Sequence, residues 1–210
     1  MSGKFVTAWL TVAAGAAALL YVCVLRPIVG VADNGDYLRI MLSTGLDYLQ
    51  PEPSYADKYF AYFIRELRLT ELGVGSYIST QVPLVLIATW INKLLYSTTV
   101  FDMRFMAGVY GALLLAAFWA LGTHRGARPM PMAGRIALGL LLVFVFADAG
   151  YTGYFNSLFG EPVSLTFLLL TVALALTSAS RDRPSRWLLA AFFICAICLT
   201  GSKTQNAPIG

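Results

Sequence analysis

The chain has 210 residues, of which 58% are hydrophobic and only 12% are charged, against about 25% charged in soluble proteins. This composition excludes a disordered chain, a small disulfide-linked scaffold and most soluble enzymes. The net charge of +4 does not indicate nucleic-acid binding, because many basic residues lie in short loops between apolar runs. Membrane proteins keep Lys and Arg in such loops on the cytoplasmic side.

Apolar runs that suit membrane helices recur along the chain. A bilayer core about 30 Å thick needs about 20 apolar residues in a helix. Four runs qualify clearly and a fifth has ragged ends; they cover residues 5–25, 105–121, 136–147, 163–176 and 187–200. Residues 81–96 are ambiguous, since their polar stripe suits either a spanning helix or an interfacial one. We predict an all-α polytopic membrane bundle of five to six transmembrane helices, in one domain over residues 1–210.

Residues 31–78 are too polar to span a bilayer. They hold seven of the eleven acidic residues and six tyrosines. Within them, residues 57–72 have helical spacing of apolar side chains. We predict a long extracytoplasmic first loop that carries one or two short amphipathic helices lying on the membrane.

The basic residues predict how the chain is oriented. Lys4 and the basic loops 123–135 and 181–186 are expected in the cytoplasm. The first loop, the loop 148–161 and the tail 202–210 then lie outside, provided that residues 81–96 do not fully cross. If they do cross, the first loop and Glu161 lie on opposite faces.

Three polar motifs stand at the ends of the apolar runs. Asp33 and Asp36, in Asp-Asn-Gly-Asp-Tyr, could share acid–base work or hold a metal ion, or could be solvated acids of an Asn-Gly turn. Glu161 marks a site at the mouth of a helix, or simply favours the helix dipole. Lys203, beside Gln205 and Asn206, could neutralise a phosphate or extend to the membrane surface.

Together, in chain order, these motifs resemble the multi-pass membrane glycosyltransferases of the GT-C class. More narrowly, they resemble bacterial hexosyltransferase-type proteins of surface-glycan synthesis. The residues that carry the resemblance are Asp33-Asn-Gly-Asp36-Tyr37, Tyr154-Phe-Asn-Ser-Leu-Phe-Gly-Glu161-Pro and Gly201-Ser-Lys203-Thr-Gln-Asn206. The resemblance covers nearly the whole chain. It implies a bacterial inner-membrane enzyme that moves a sugar from a polyprenyl-phosphate donor to a glycan or lipid acceptor at the outer face.

The resemblance also implies roles for single residues. Asp36 would be the general base on the acceptor hydroxyl, and Asp33 would orient it or help it to hold a divalent metal ion. No other cofactor is implied. Substrate contacts would come from seven side chains: Tyr37, Arg39, Asn156, Glu161, Lys203, Gln205 and Asn206.

One departure from the class concerns length. GT-C enzymes usually have more helices than are predicted here, and the family usually continues with further spans after the last motif. We therefore expect the chain to be an N-terminal portion of a longer protein. Two other functions remain open: a membrane transporter or flippase for lipid-linked sugars, and a non-catalytic membrane scaffold.

Overall fold

The computed structural model describes residues 3–25, 27–50, 54, 63–71, 75, 77–124, 129–203 and 206. Within these residues the fold has eight α-helices, one 3-10 helix and three short strands. The helices are α1 (Gly3–Cys23), α2 (Tyr37–Thr44), α3 (Gln81–Leu95), α4 (Arg104–Thr123), α5 (Met132–Phe146), α6 (Ala149–Thr152), α7 (Glu161–Ala179) and α8 (Arg186–Thr200). The 3-10 helix covers Gly153–Asn156, and the strands are β1 (Leu46–Tyr48), β2 (Glu66–Leu69) and β3 (Val100–Asp102).

The described residues contain fewer membrane spans than the sequence predicts. Three helices are long and apolar enough to cross a bilayer: Phe5–Cys23 within α1, α4, and α7. A fourth span is formed if α5 and the segment Ala149–Asn156, bent by 46° against each other, count as one. Helices α3 and α8 have 15 residues each and are therefore about 22 Å long, short of the bilayer core of about 30 Å. The prediction of five to six spans is corrected to three or four.

Helix α4 lies at the centre of the bundle, where it contacts α1, α3 and α7. Its side chains Tyr110, Leu114 and Phe118 are fully buried. Small residues allow α1 to pack close to α4. At Gly15 of α1, for example, an added Cβ would lie only 2.9 Å from the Phe118 ring of α4. Apolar side chains and close backbone approach, rather than polar contacts, hold this centre together.

The long helices give the bundle two distinct ends. Helix α1 runs antiparallel to α4, since Ala8 contacts Gly122 while Leu19 contacts Gly111. Helix α7 runs parallel to α4, and α8 returns beside α7. We call the end where α1 and α8 finish and where α4 and α7 begin the acidic end. The opposite end, where α4 and α7 finish and where α5 and α8 begin, is the basic end.

Helix α3 begins and ends at the acidic end. At its start, Thr80 N–H donates to Gly201 O at 3.0 Å, just after α8. At its finish, Asn92 Nδ2 donates to Val100 O at 2.7 Å, just before α4. Both contacts lie at the same end of the bundle, so α3 does not carry the chain to the other end. The first loop and Glu161 therefore share one end, as the charge pattern predicts when residues 81–96 do not cross.

A small antiparallel sheet, in the order β1-β2-β3, attaches the first loop to the start of α4. Leu67 of β2 pairs with Phe101 of β3, and both side chains are fully buried. The fold is therefore mostly helical, as predicted, with a small sheet that the sequence did not indicate. The helix predicted over residues 57–72 is wrong where it can be compared, because residues 66–69 form β2. Residues 57–62 and 72 lie outside the described part. Among the described residues of this loop, α2 forms a short amphipathic helix, with Tyr37, Ile40, Met41 and Thr44 buried.

Candidate functional site

A cavity of about 470 Å³ opens at the acidic end. Four separate chain segments line it: the turn into α2, the start of α3, the segment that leads into α7, and the segment after α8. Four charged side chains line it: Asp36, Arg39, Glu161 and Lys203. The structure thus brings together side chains that the sequence places in three distant motifs. We call this the acidic-end cavity.

Asp36 and Arg39 form one ion pair of this cavity, one turn apart at the start of α2. Both side chains are about half exposed, so solvent and solutes reach them. The Arg39 guanidinium also lies 5.5 Å from the centre of the Tyr77 ring, a distance at which a cation and an aromatic face attract. An exposed ion pair is worth at most about 1 kcal/mol, so a ligand can replace either partner at little cost.

Glu161 and Lys203 form the second ion pair, with 2.5 Å between Lys203 Nζ and Glu161 Oε1. Glu161 lies in the first turn of α7, where the helix dipole favours a carboxylate. The lysine chain packs over the backbone at Gly160, since a Cβ there would lie 3.1 Å from Lys203 Cε. The absence of a side chain at Gly160 therefore allows the two charges to meet.

Hydroxyl and amide side chains fasten the segment that carries Lys203. Ser202 Oγ lies 2.9 Å from Ser164 Oγ of α7. The Asn206 amide donates to both hydroxyl oxygens at 2.8 Å. Asn206 is absent from the lining of the cavity, and its bonds hold the segment that carries Lys203. Gln205 lies outside the described residues.

Asp33 is buried and holds the turn that leads into α2. Its Oδ1 accepts hydrogen bonds from Gly35 N at 2.7 Å and Tyr37 N at 3.2 Å, while Oδ2 accepts one from the Tyr48 hydroxyl. Gly35 has a φ of +102°, which favours glycine. Because donors occupy both oxygens of Asp33, the carboxylate serves the turn, and the structure leaves Asp36 as the accessible acid of the motif.

Two other predicted site residues are used for packing. The Tyr37 hydroxyl donates to Val31 O at 2.8 Å and its ring packs against Phe159; burial raises the pKa of Tyr37, which keeps the hydroxyl protonated. Asn156 is fully buried, and its amide donates to Cys23 O at 3.0 Å and Val29 O at 2.8 Å. Neither side chain lines the cavity, so the structure places both behind its wall.

Eleven of the fifteen lining residues were not among the predicted site residues, and Gln81, Tyr77 and Tyr154 belong to these eleven. Gln81 is buried at the start of α3, and its amide donates to Phe159 O at 3.0 Å. Tyr77 and Tyr154 add aromatic rings to the wall. The tyrosine-rich first loop and the aromatic segment before α7 are the sequence signals for these two. Nothing in the sequence distinguishes Gln81 from the other polar residues of α3.

The described residues do not form a metal site. Within the described ranges, no group of three or more His, Cys, Asp and Glu side chains could hold a metal ion. Asp33 and Asp36 do not make a pair of ligands, because the oxygens of Asp33 already accept hydrogen bonds and Asp36 faces Arg39.

The four charges give the cavity a definite chemistry. Lys203 and Arg39 can neutralise a phosphate, the latter through a planar fork of donors. Asp36 and Glu161 can accept hydrogen bonds from hydroxyl groups, and an exposed carboxylate can also take a proton. The rings of Tyr77 and Tyr154 offer flat apolar faces. A ligand with a phosphate, several hydroxyls and an apolar ring face suits this wall.

The comparisons with known proteins identify a family. Residues 4–210 match the family described as YfdI N-terminal transmembrane domain. No curated protein and no solved structure matches the chain. The match covers almost the entire sequence, in agreement with the long apolar helices of the bundle. The chain belongs to the YfdI N-terminal transmembrane domain family.

Proposed function

We propose that the protein is a membrane glycosyltransferase that moves a sugar from a polyprenyl-phosphate donor to a glycan or lipid acceptor. The observation that carries the proposal is the acidic-end cavity, in which Asp36 and Lys203 line one space although they lie far apart in the sequence. A transfer of this kind needs a base for the acceptor and a cation for the leaving phosphate, and the cavity offers both.

The proposed reaction breaks the bond between the anomeric carbon of the sugar and the phosphate oxygen. The acceptor hydroxyl attacks that carbon and a glycosidic bond forms. Asp36 takes the proton of the hydroxyl. Lys203 and Arg39 stabilise the negative charge left on the lipid phosphate. Glu161 binds sugar hydroxyls once Lys203 turns toward the phosphate.

The surroundings of the cavity suit a donor with a lipid tail. Ile78, next to Tyr77 in the wall, is almost fully exposed, and Leu38 and Leu42 of α2 expose about half of their surfaces. Apolar side chains at the end of a membrane bundle are expected to face lipid. A prenyl chain could therefore remain in the bilayer while its phosphate and sugar enter the cavity.

The position of the charges favours transfer over transport. A transporter is expected to carry its charged residues near the bilayer midplane. Here Asp36, Arg39, Glu161 and Lys203 all lie at helix ends, on one end of the bundle. They surround a site that opens on one side rather than a path through the bundle.

The test is sugar transfer by membranes that contain the protein, with radiolabelled polyprenyl-phosphate hexoses as donors. We expect Asp36→Asn to lower transfer by about 10²- to 10⁴-fold, as the loss of a general base does. The matched control is Asp47→Asn, which removes another exposed acid of the first loop that pairs with Arg68 and does not line the cavity.

Two results would contradict the proposal. One is equal transfer by the Asp36→Asn and Asp47→Asn variants, which would remove Asp36 from the chemistry. The other is movement of the intact donor across vesicles with no glycosidic product from the unchanged protein, which would indicate a flippase. Loss of transfer through misfolding is not expected, because the exposed Asp36–Arg39 pair contributes little to stability.

A further inference from the structure

A second cavity, of about 340 Å³, lies at the basic end. It opens between the last turns of α4 and α7. Trp119 and Leu174 give its wall an apolar part; Thr123, Thr177, His124 and Arg181 give it a polar part. We call this the basic-end cavity. It does not share a lining residue with the acidic-end cavity.

Arg181 is the cation of this cavity and has no anionic partner among the described residues. Those residues form six ion pairs, and Arg181 is in none of them. Its Nε atom is buried and makes no hydrogen bond to any described residue. A buried donor without an acceptor is unfavourable, so the fold leaves a hydrogen-bonding capacity that an anion would satisfy.

The other polar groups of the wall already use their hydrogens. Thr123 and Thr177 donate to carbonyl oxygens of their own helices at 2.7 Å. His124 Nδ1 lies 2.6 Å from Leu121 O; since a carbonyl can only accept, this nitrogen carries the hydrogen. A ligand of this cavity therefore finds its donors chiefly on Arg181.

The lining residues also determine which ligand charge the cavity favours. Arg181 and His124 are its ionisable members, and no carboxylate is among them. Two helix C-termini meet at this end, and their dipoles disfavour an anion. The direct bonds of a guanidinium to a phosphate are stronger than this dipole effect, because they are charge-assisted and can form in pairs. A zwitterionic ligand would find no carboxylate among the lining residues for its ammonium group.

Aromatic rings place the cavity at the level where a bilayer meets water. Trp119 packs against Phe5 and Trp9 of α1, with ring centres 6.1 Å and 4.9 Å away. Trp residues at the ends of apolar helices prefer the headgroup region. We propose that the basic-end cavity binds the phosphate of an anionic membrane phospholipid, with Arg181 as its cation. The glycerol part would lie against Trp119 and Leu174.

The test compares lipid binding by two arginine variants of the same loop. The purified full chain in detergent is titrated with phosphatidylglycerol or phosphatidylcholine, and bound lipid is counted by native mass spectrometry. We expect Arg181→Gln to weaken phosphatidylglycerol binding about tenfold, as the loss of a charge-assisted contact does. Arg183→Gln removes the same charge two residues away, outside the cavity, and should change the affinity less than about twofold.

Further arms separate the alternatives. Arg181→Lys keeps the charge but loses the planar set of guanidinium donors, so an intermediate affinity supports a direct contact. This variant also tests the proposal if Arg181→Gln does not fold. Equal losses in the Arg181→Gln and Arg183→Gln variants would overturn the proposal in favour of general attraction to basic loops. Inorganic phosphate that displaces the lipid at equal concentration would instead assign the cavity to a soluble phosphate.

Discussion

The Asp102 carboxylate is fully buried where β3 leads into α4, and its replacement tests how the first loop is held. Arg65 donates to it through Nε at 3.0 Å and Nη2 at 2.6 Å. Arg104 donates through Nε at 3.0 Å and Nη2 at 2.7 Å. The backbone N–H of Asp102 donates to Asn92 of α3 at 2.9 Å. The carboxylate thus joins the residue before β2 to the start of α4, while the backbone N–H joins β3 to α3. We predict that Asp102→Asn destabilises the protein.

The magnitude follows from the burial of this cluster. Removing one partner of a buried ion pair costs about 3–5 kcal/mol. The side chains of Arg65 and Arg104 are 30% and 31% exposed and keep part of their hydration, so we expect a loss near the lower end, about 3 kcal/mol. For a chain of this size each kcal/mol corresponds to about 2–4 °C, so Tm should fall by about 6–12 °C.

The assay is thermal unfolding of the purified protein in detergent, followed by near-ultraviolet circular dichroism. Asp47→Asn is the control, since it makes the same chemical change in the same sheet. The Asp47–Arg68 pair is 2.5 Å long, but its side chains are 47% and 43% exposed, so its loss should cost less than about 1 kcal/mol. If both variants unfold at the same temperature, burial does not set the strength of these ion pairs and the reasoning fails.

The dependence of Tm on pH provides a second test of Asp102. Burial by itself raises the pKa of Asp102, but hydrogen bonds from Arg104 and Arg65 outweigh it and lower the pKa below its ordinary value of 3.8. The stabilisation is therefore complete above pH 3.8 and is lost as the pH falls through the folded-state pKa. Below pH 3.8 the Tm of the unchanged protein should fall more steeply than that of Asp102→Asn. Parallel profiles would contradict the lowered pKa.

Three more predictions concern packing, the turn before α2 and the two ends of the bundle. Gly139→Ala should lower stability by about 1–3 kcal/mol in thermal unfolding, because the new Cβ would lie 2.2 Å from Thr11 Oγ1; Thr11→Ala should restore part of the loss. Asp33→Ala should cost about 2 kcal/mol in the same assay, and Asp33→Asn less, because the amide oxygen can still accept from the turn. In a background without native cysteines, single cysteines at positions 161 and 124 should react with an impermeant thiol reagent from opposite sides of the membrane. Labelling of both from one side would refute the assignment of the two ends.

The long spans could be predicted from the sequence because their signal is local. The runs 5–25, 105–121 and 163–176 correspond to α1, α4 and α7 with shifts of a few residues. A continuous apolar stretch of this length has few other stable conformations. Strand β2 could not be predicted in this way, because it has four residues and its partners lie far away in the sequence, at β1 and β3.

The candidate site was predictable only in part, for a related reason. Charged side chains at helix ends stand out, and Asp36, Arg39, Glu161 and Lys203 do line the acidic-end cavity. Asn156 stands out equally well in the sequence. Its acceptors, however, are backbone carbonyls more than 120 residues earlier in the chain. Sequence spacing does not reveal which polar side chains will form hydrogen bonds to the backbone and so be withdrawn from the site.

Helix α3 decides whether one composite site can exist at all. Two of its polar residues, Gln81 and Asn92, are buried and bonded to groups of the acidic end: Gln81 donates to Phe159 O, and Asn92 bonds to Val100 and Asp102. If α3 instead crossed the bilayer, these amides would lose their partners in a medium that offers none, at a cost of several kcal/mol each. The same bonds therefore keep α3 at the acidic end and bring the first loop to the side of Glu161 and Lys203. The hydrogen bonds that stabilise this helix are therefore also the ones that assemble the proposed active site.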